Sequence, residues 1–273
     1  MPFLPMLGFM ADHIASFFLL FSHALIIIPV LCIGYIWFNR ELFFKLIHLV
    51  LLTILLNIAL KVSFQVPLPA SLSKHWFAFP SGHMQLATAL YGWFIYQCSN
   101  VFLRALLLFL LSGIGFSLVY CGYHGPQDVI GALIFSTLLL CSFQFLTFRY
   151  PQHWYGVVLT VGLLLLLYSQ WMWPLPAHAW MAFYSLLGLN LAELLFNVTY
   201  LKNSTKKKII ASGLILIVAC LLQAVFRLTV IKQGPIYLQQ SQWLFLAFAF
   251  PLVCWQRRSS RPLPHADRDQ YTM

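Results

Sequence analysis

Long apolar runs, separated by short polar or proline-bearing stretches, dominate the chain. Nine of them approach or reach the ~20 residues that a helix needs to cross the hydrocarbon core of a bilayer. They fall at about 14–38, 42–64, 82–98, 101–122, 127–148, 155–173, 178–198, 209–231 and 241–255, the third and ninth being the shortest. Their hydrophobicity is continuous and does not alternate in period two. In lipid only helices and closed barrels satisfy every backbone polar group, so the pattern predicts an all-α polytopic membrane bundle of about nine spans.

Composition agrees with that class. Of 273 residues, 61% are hydrophobic and 8% charged, and the mean hydropathy is +0.84. This balance is far from that of a soluble domain. The nine Trp and twelve Tyr suit the headgroup level of a bilayer, where an apolar ring and a polar tip are both accommodated. The net charge of +10 needs no nucleic acid, because its distribution follows topology. With the N-terminus outside, Arg40, Lys45, Arg104, Arg149, Lys202, Lys206, Lys207, Lys208, Arg257, Arg258, Arg261 and Arg268 face the cytoplasm, 12 of the 16 basic residues. Lys61, Lys74, Arg227 and Lys232 remain outside. No basic residue precedes Arg40, so the amino end lacks the n-region of a cleavable signal peptide and the first span is expected to stay.

This topology gathers the candidate chemistry on one external face. Pro80-Ser81-Gly82-His83 opens the third span, and His124-Gly125-Pro126-Gln127-Asp128 opens the fifth. The charge count that set the orientation made no use of either motif. Pro67, Pro69 and Pro80 mark the stretch from Gln65 as an external loop. Ser81 is an N-cap residue, and the N–H groups of Gly82 and His83 would point outward, where helix polarity favours an anion such as phosphate. Gly125-Pro126 breaks the chain so that His124 precedes a helix and Asp128 falls in its first turn. An Asp beside an imidazole fixes its tautomer and stabilises the imidazolium. Together these residues suit phosphoryl transfer.

The spaced set resembles the type 2 phosphatidic acid phosphatases, or lipid phosphate phosphatases, whose fold is shared with vanadium haloperoxidases. The family pattern is Lys-x6-Arg-Pro, then Pro-Ser-Gly-His, then Ser-Arg-x5-His-x3-Asp. Here Lys61 is followed by Leu68-Pro69, the second motif is complete at 80–83, and the third reads Ser117-Leu118, His124, Asp128. The resemblance covers about 42–148 and implies a six-helix core. It also implies that His124 is the nucleophile that becomes a phosphohistidine, that Asp128 orients it, and that His83 protonates the leaving oxygen. Lys61, Ser81 and Gly82 are implied as phosphate ligands. Imidazole catalysis of this kind takes no cofactor and no metal, and no His-Glu or Cys cluster has the spacing of metal ligands.

Both family arginines are replaced by leucine, and arginine is the side chain that grips phosphoryl oxygens in a bidentate fork. Three accounts stay open. Lys74, His75, Arg227 or Lys232 restores the charge from another backbone position. The substrate is a phosphodiester, with one negative charge fewer, as in the sphingomyelin synthases, which this chain is similar to in its apolar residue at the last arginine position. Or catalysis is lost and a lipid-binding cleft remains. Transport is the alternative of another class, with Glu193 and Arg227 as its polar residues.

Residues 1–173 are expected to form the catalytic core, 174–255 additional helices that shape lipid access or a partner surface, and 256–273 a disordered cytoplasmic tail. His13, His23, His48, His153, His178 and His265 have no spaced partner and read as structural or exposed. Glu193 shares a helical stripe with Asn190 and Asn197 in the seventh span. Cys32, Cys98, Cys121, Cys141, Cys220 and Cys254 are scattered and read as packing residues. Two glycosylation sequons, at Asn197 and Asn203, fall on the inner side and are discounted. The expected setting is a bacterial inner membrane with the site facing the periplasm. The expected partners are membrane lipids and a lipid-linked phosphate substrate.

Overall fold

A computed structural model describes residues 3–68, 76–196, 205–226 and 233–253. Among them every regular element is a helix, with no strand. In order the helices are α1 (Phe3–Leu20), α2 (Ala24–Ile33) running into a π-helical segment (Gly34–Phe38), α3 (Arg40–Phe64), α4 (Gly82–Gln97), α5 (Val101–Tyr120), α6 (Pro126–Arg149), α7 (Trp154–Met172), α8 (Ala177–Phe196), α9 (Thr205–Phe226), α10 (Ile236–Gln240) and α11 (Gln242–Val253).

Seven helical stretches are long and apolar enough to cross a membrane: Met10–Phe38, α3, α5, α6, α7, α8 and the Lys208–Phe226 part of α9. The protein is an integral membrane protein of the all-α class. The third and ninth runs of the sequence, the shortest, become α4, with 16 residues, and α11, with 12. At 1.5 Å per residue α4 is only about 24 Å long. The first run is not one uninterrupted helix. It turns at 21–23, where the Tyr91 hydroxyl donates to the Phe21 carbonyl (2.7 Å). It then widens into the π segment where the Phe43 ring presses on Gly34.

Side-chain caps decide where helices begin. Asn39 Oδ1 accepts the Leu42 N–H at 3.0 Å, and Asn100 Oδ1 accepts the Leu103 N–H at 3.1 Å, each satisfying an otherwise orphaned donor. Proline at the first position of α6 gives up an N–H that would have had no partner there. Just before it, Gly122 has φ +68°, which a side chain would strain, so the chain can reverse between α5 and α6.

α3 is the central helix. Two thirds of its apolar window is buried, against 6% for α9. It packs against α4, α7 and α8, while α4 also packs on α5 and α6, α1 on α5, and α11 on α8 and α9. Phe44, Leu46, Leu49, Leu55 and Ile58 of α3 meet Ala87 and Leu90 of α4 and Ala182 and Leu186 of α8 in one core. That core fixes the ends of α3, α4, α6 and α8 relative to one another.

Candidate active site

Lys61, in the last turn of α3, reaches into the loop that follows and holds it down. Its ammonium donates to the carbonyls of Phe77 (2.5 Å) and Ala78 (2.9 Å), and the residue is 6% exposed. The loop is fixed further by Val66 and Leu68, whose backbones pair with Ala78 and Trp76. The Phe79 ring packs against Gly131 of α6, a spot that any larger residue would fill. One turn earlier on α3, Asn57 donates to the Pro80 carbonyl (3.2 Å) and to Gln85 Oε1 (2.7 Å). Ser136 of α6 donates to the Gln85 carbonyl (2.9 Å).

These contacts aim the start of α4. Ser81 is its N-cap, with the hydroxyl accepting the Met84 N–H at 3.5 Å. Gly82 faces Asn57, whose Oδ1 would lie 3.2 Å from an added Cβ. His83, in the first turn, is exposed. Its ring meets that of His23 at the start of α2, with centroids 5.3 Å apart in an edge-on arrangement.

The second motif is joined to the third by main chain. The Ser81 N–H donates to the Asp128 carbonyl at 3.0 Å. Asp128 is 2% exposed. Its Oδ2 accepts the Gly125 N–H at 2.9 Å and lies 3.3 Å from His124 Nδ1, so the carboxylate both caps α6 and fixes the imidazole. With Nδ1 carrying the proton toward Asp128, Nε2 of His124 is left as the free base, and it has no hydrogen-bond partner among the described residues. Asp128 Oδ1 is buried without a partner among those residues.

Charge couples the same groups. The Lys61 ammonium attracts Asp128 and acts on His124. Burial pushes the His124 imidazole below its ordinary value and the Lys61 charge pushes it the same way, while the Asp128 hydrogen bond and charge pull it back only in part. His124 is therefore held toward its neutral, nucleophilic form.

The structure thus brings Lys61, Ser81, Gly82, His83, His124 and Asp128 to one end of the bundle. Sequence reading missed two neighbours of this set. Asn57 carried a signal, since it precedes Lys61 by four residues on one helical face. His23 carried none, because only tertiary packing brings α2 to this end. Lys74, His75, Arg227 and Lys232, the candidate substitutes for the missing arginines, lie outside the described residues, as do the sequon asparagines and the tail. Of those two arginine positions, Leu68 is half-buried and Leu118 is packed in the core at 1% exposure.

Residues 42–154 match the PAP2 superfamily, a segment that runs from α3 to the first residue of α7 and contains all three motifs. The resemblance read from the motifs therefore holds over that segment. A match to this superfamily supports a phosphatase or phosphotransferase type of activity on lipid phosphates in general. No curated protein and no solved structure matches the chain.

Proposed function

We propose that the protein is a membrane phosphatase or phosphotransferase that acts on a lipid-linked phosphate at the external, periplasmic leaflet of a bacterial inner membrane. The observation that carries this reading is the His124–Asp128 pair, tied by the Ser81–Asp128 main-chain bond to the start of α4. A structural histidine needs no such construction. The 12-to-4 distribution of basic residues supports the external placement.

In this mechanism the lone pair on His124 Nε2 attacks phosphorus while the bond to the leaving oxygen breaks. His83, entering as the imidazolium, gives its proton to that oxygen. Asp128 stabilises the positive charge that develops on His124. Water, or a lipid hydroxyl, then attacks the phosphohistidine, the P–N bond breaks, and the acceptor's proton returns to His83. Lys61 and the N–H groups at the start of α4 hold the phosphoryl oxygens.

A second reading, head-group transfer on a phosphodiester, has one observation in its favour. Leu118 is sealed into the core, so the charge that would balance a dianionic phosphoryl group is absent from that position. The test is purified protein in detergent offered phosphatidate, prenyl diphosphate and phosphodiester lipids, with His124→Ala as control. Release of phosphate, or head-group exchange, that His124→Ala abolishes is the expected result. Equal rates for the two proteins, or no reaction with any lipid, leaves only a binding or transport role. Arginine placed at Leu68 and Leu118 should move preference toward monoesters if the leucines tune the site for a diester.

A further inference from the structure

His83 stands in the first turn of α4 with an exposed side chain, and an exposed side chain keeps one rotamer only where a neighbour holds it. The ring that meets it belongs to His23, which lies outside the segment 42–154 that matches the superfamily. With centroids 5.3 Å apart and planes at 65°, the two rings make an edge-to-face contact.

The turn that carries His23 is anchored on the helix that carries His83. Tyr91, eight residues after His83 on α4, is buried and donates its hydroxyl to the Phe21 carbonyl at 2.7 Å. Ser22 is 2% exposed and closes the end of α1 by donating to the Leu19 carbonyl at 2.7 Å. On the other side Phe18 packs on Gly113 of α5, where an added Cβ would meet its ring at 2.3 Å, and edge-on against Phe109 with centroids 5.6 Å apart. The turn is thereby held between α4, which opens on His83, and α5, which runs up to the loop bearing His124.

The His23 side chain does nothing for its own helix. It occupies the N-cap of α2, where Ser, Thr, Asn or Asp would bond a first-turn N–H, and it makes no such bond. The N–H groups of Ile26 and Ile27 donate to its main-chain carbonyl instead, at 3.0 and 3.1 Å. Being exposed, the side chain is not part of the core either. What its ring does meet is His83.

A general acid has to hold its N–H within hydrogen-bond reach of the leaving oxygen, and a misplacement near 1 Å costs on the order of 10^2 in rate. Asp128 fixes the His124 ring by a hydrogen bond. We propose that His23 is the positioning residue of His83: its ring, held by the turn between α1 and α2, packs on the His83 imidazole and keeps it in the orientation that protonates the leaving oxygen. This rests on the phosphoryl-transfer reading above. The first span then completes the site as well as anchoring the chain in the membrane.

The experiment uses the full-length protein in detergent and whichever lipid the wild type turns over fastest, with His23→Ala, His23→Phe, His83→Ala, His124→Ala and the double variant His23→Ala/His83→Ala. His23→Ala is expected to lower kcat about ten- to hundredfold and to leave KM within about threefold, since the loss falls on the transition state. His23→Phe keeps an aromatic ring at the contact and should recover most of that loss. The double variant should be no slower than His83→Ala, because a residue that acts only through His83 has nothing left to act on. A His23→Ala rate within about twofold of wild type overturns the proposal, as does a phenylalanine variant no better than alanine. The same fold-loss in the His83→Ala background would make His23 a structural part of the turn, and a change in KM alone would place it against the substrate; either result overturns the proposal equally. Failure of the underlying reading looks different: the wild type then turns over no lipid, or His124→Ala turns it over as fast as wild type, whatever His23 does.

Discussion

Two histidines of the same bundle, His48 and His124, differ in what their second ring nitrogen meets. His48 of α3 is fully buried. Its Nδ1 lies 2.9 Å from the Phe44 carbonyl, which can only accept, so that nitrogen carries the proton. Nε2 then accepts from Asn190 of α8 at 3.2 Å, and Asn190 itself donates to the Leu186 carbonyl at 2.8 Å. The rings of Phe44 and Trp154 cover what is left. His124 begins the same way, with Nδ1 fixed, here by a carboxylate. Its other nitrogen has no partner among the described residues. The local chemistry of the two is nearly alike, and the use of the second nitrogen is the difference.

The contrast between the two imidazoles is tested most directly at His124. Substitution by alanine is expected to lower turnover at least about 10^4-fold, because the proposed nucleophile is lost. Residual activity within tenfold of wild type would end its claim to be the nucleophile. Asp128→Asn should lower kcat about 10^2- to 10^3-fold, since an amide still caps α6 yet no longer steadies a cationic imidazole. An effect on melting without one on kcat would make Asp128 a cap and nothing more.

His48→Leu should show the opposite profile. It strands one Asn190 donor in the core, which is expected to cost about 1–3 kcal/mol of stability while activity per folded molecule stays the same. Thermal unfolding in detergent beside a specific-activity assay separates the two. The smallest effect is on pH. In the proposed mechanism neutral His124 is the attacking form, and its lowered pKa keeps it neutral further into acid, so the acid limb of kcat/KM should lie below the ordinary imidazole range. Lys61→Gln removes a positive charge that favours the neutral form, so the limb should move to higher pH even as the rate falls. A limb that stays put would mean that the Lys61 charge does not reach the nucleophile.

Most of the helices and much of the site are legible in the sequence, because capping and proline preferences act within a few residues. Ser81 caps α4, Gly125-Pro126 sets His124 ahead of α6, and Asp128 falls in its first turn. Nothing in the apolar runs locates the turn at 21–23, which depends on Tyr91 some seventy residues away. The carboxylate four residues after His124 separates it from His48 in the sequence, but the partner that occupies the second nitrogen of His48 is not legible there, since only the packing of α8 supplies Asn190. His23 stays invisible for the same reason. Its neighbour comes from a helix that no spacing rule connects.

The bond from the Ser81 N–H to the Asp128 carbonyl involves no side chain. Among the natural residues only proline, which has no N–H, would delete it. The registration between the His83 turn and the His124 turn is therefore insulated from most side-chain substitutions around it. Leucine at 68 and 118, where the family pattern has arginine, is a change of that kind: under the proposed function it alters what the site holds while leaving this main-chain spacing untouched.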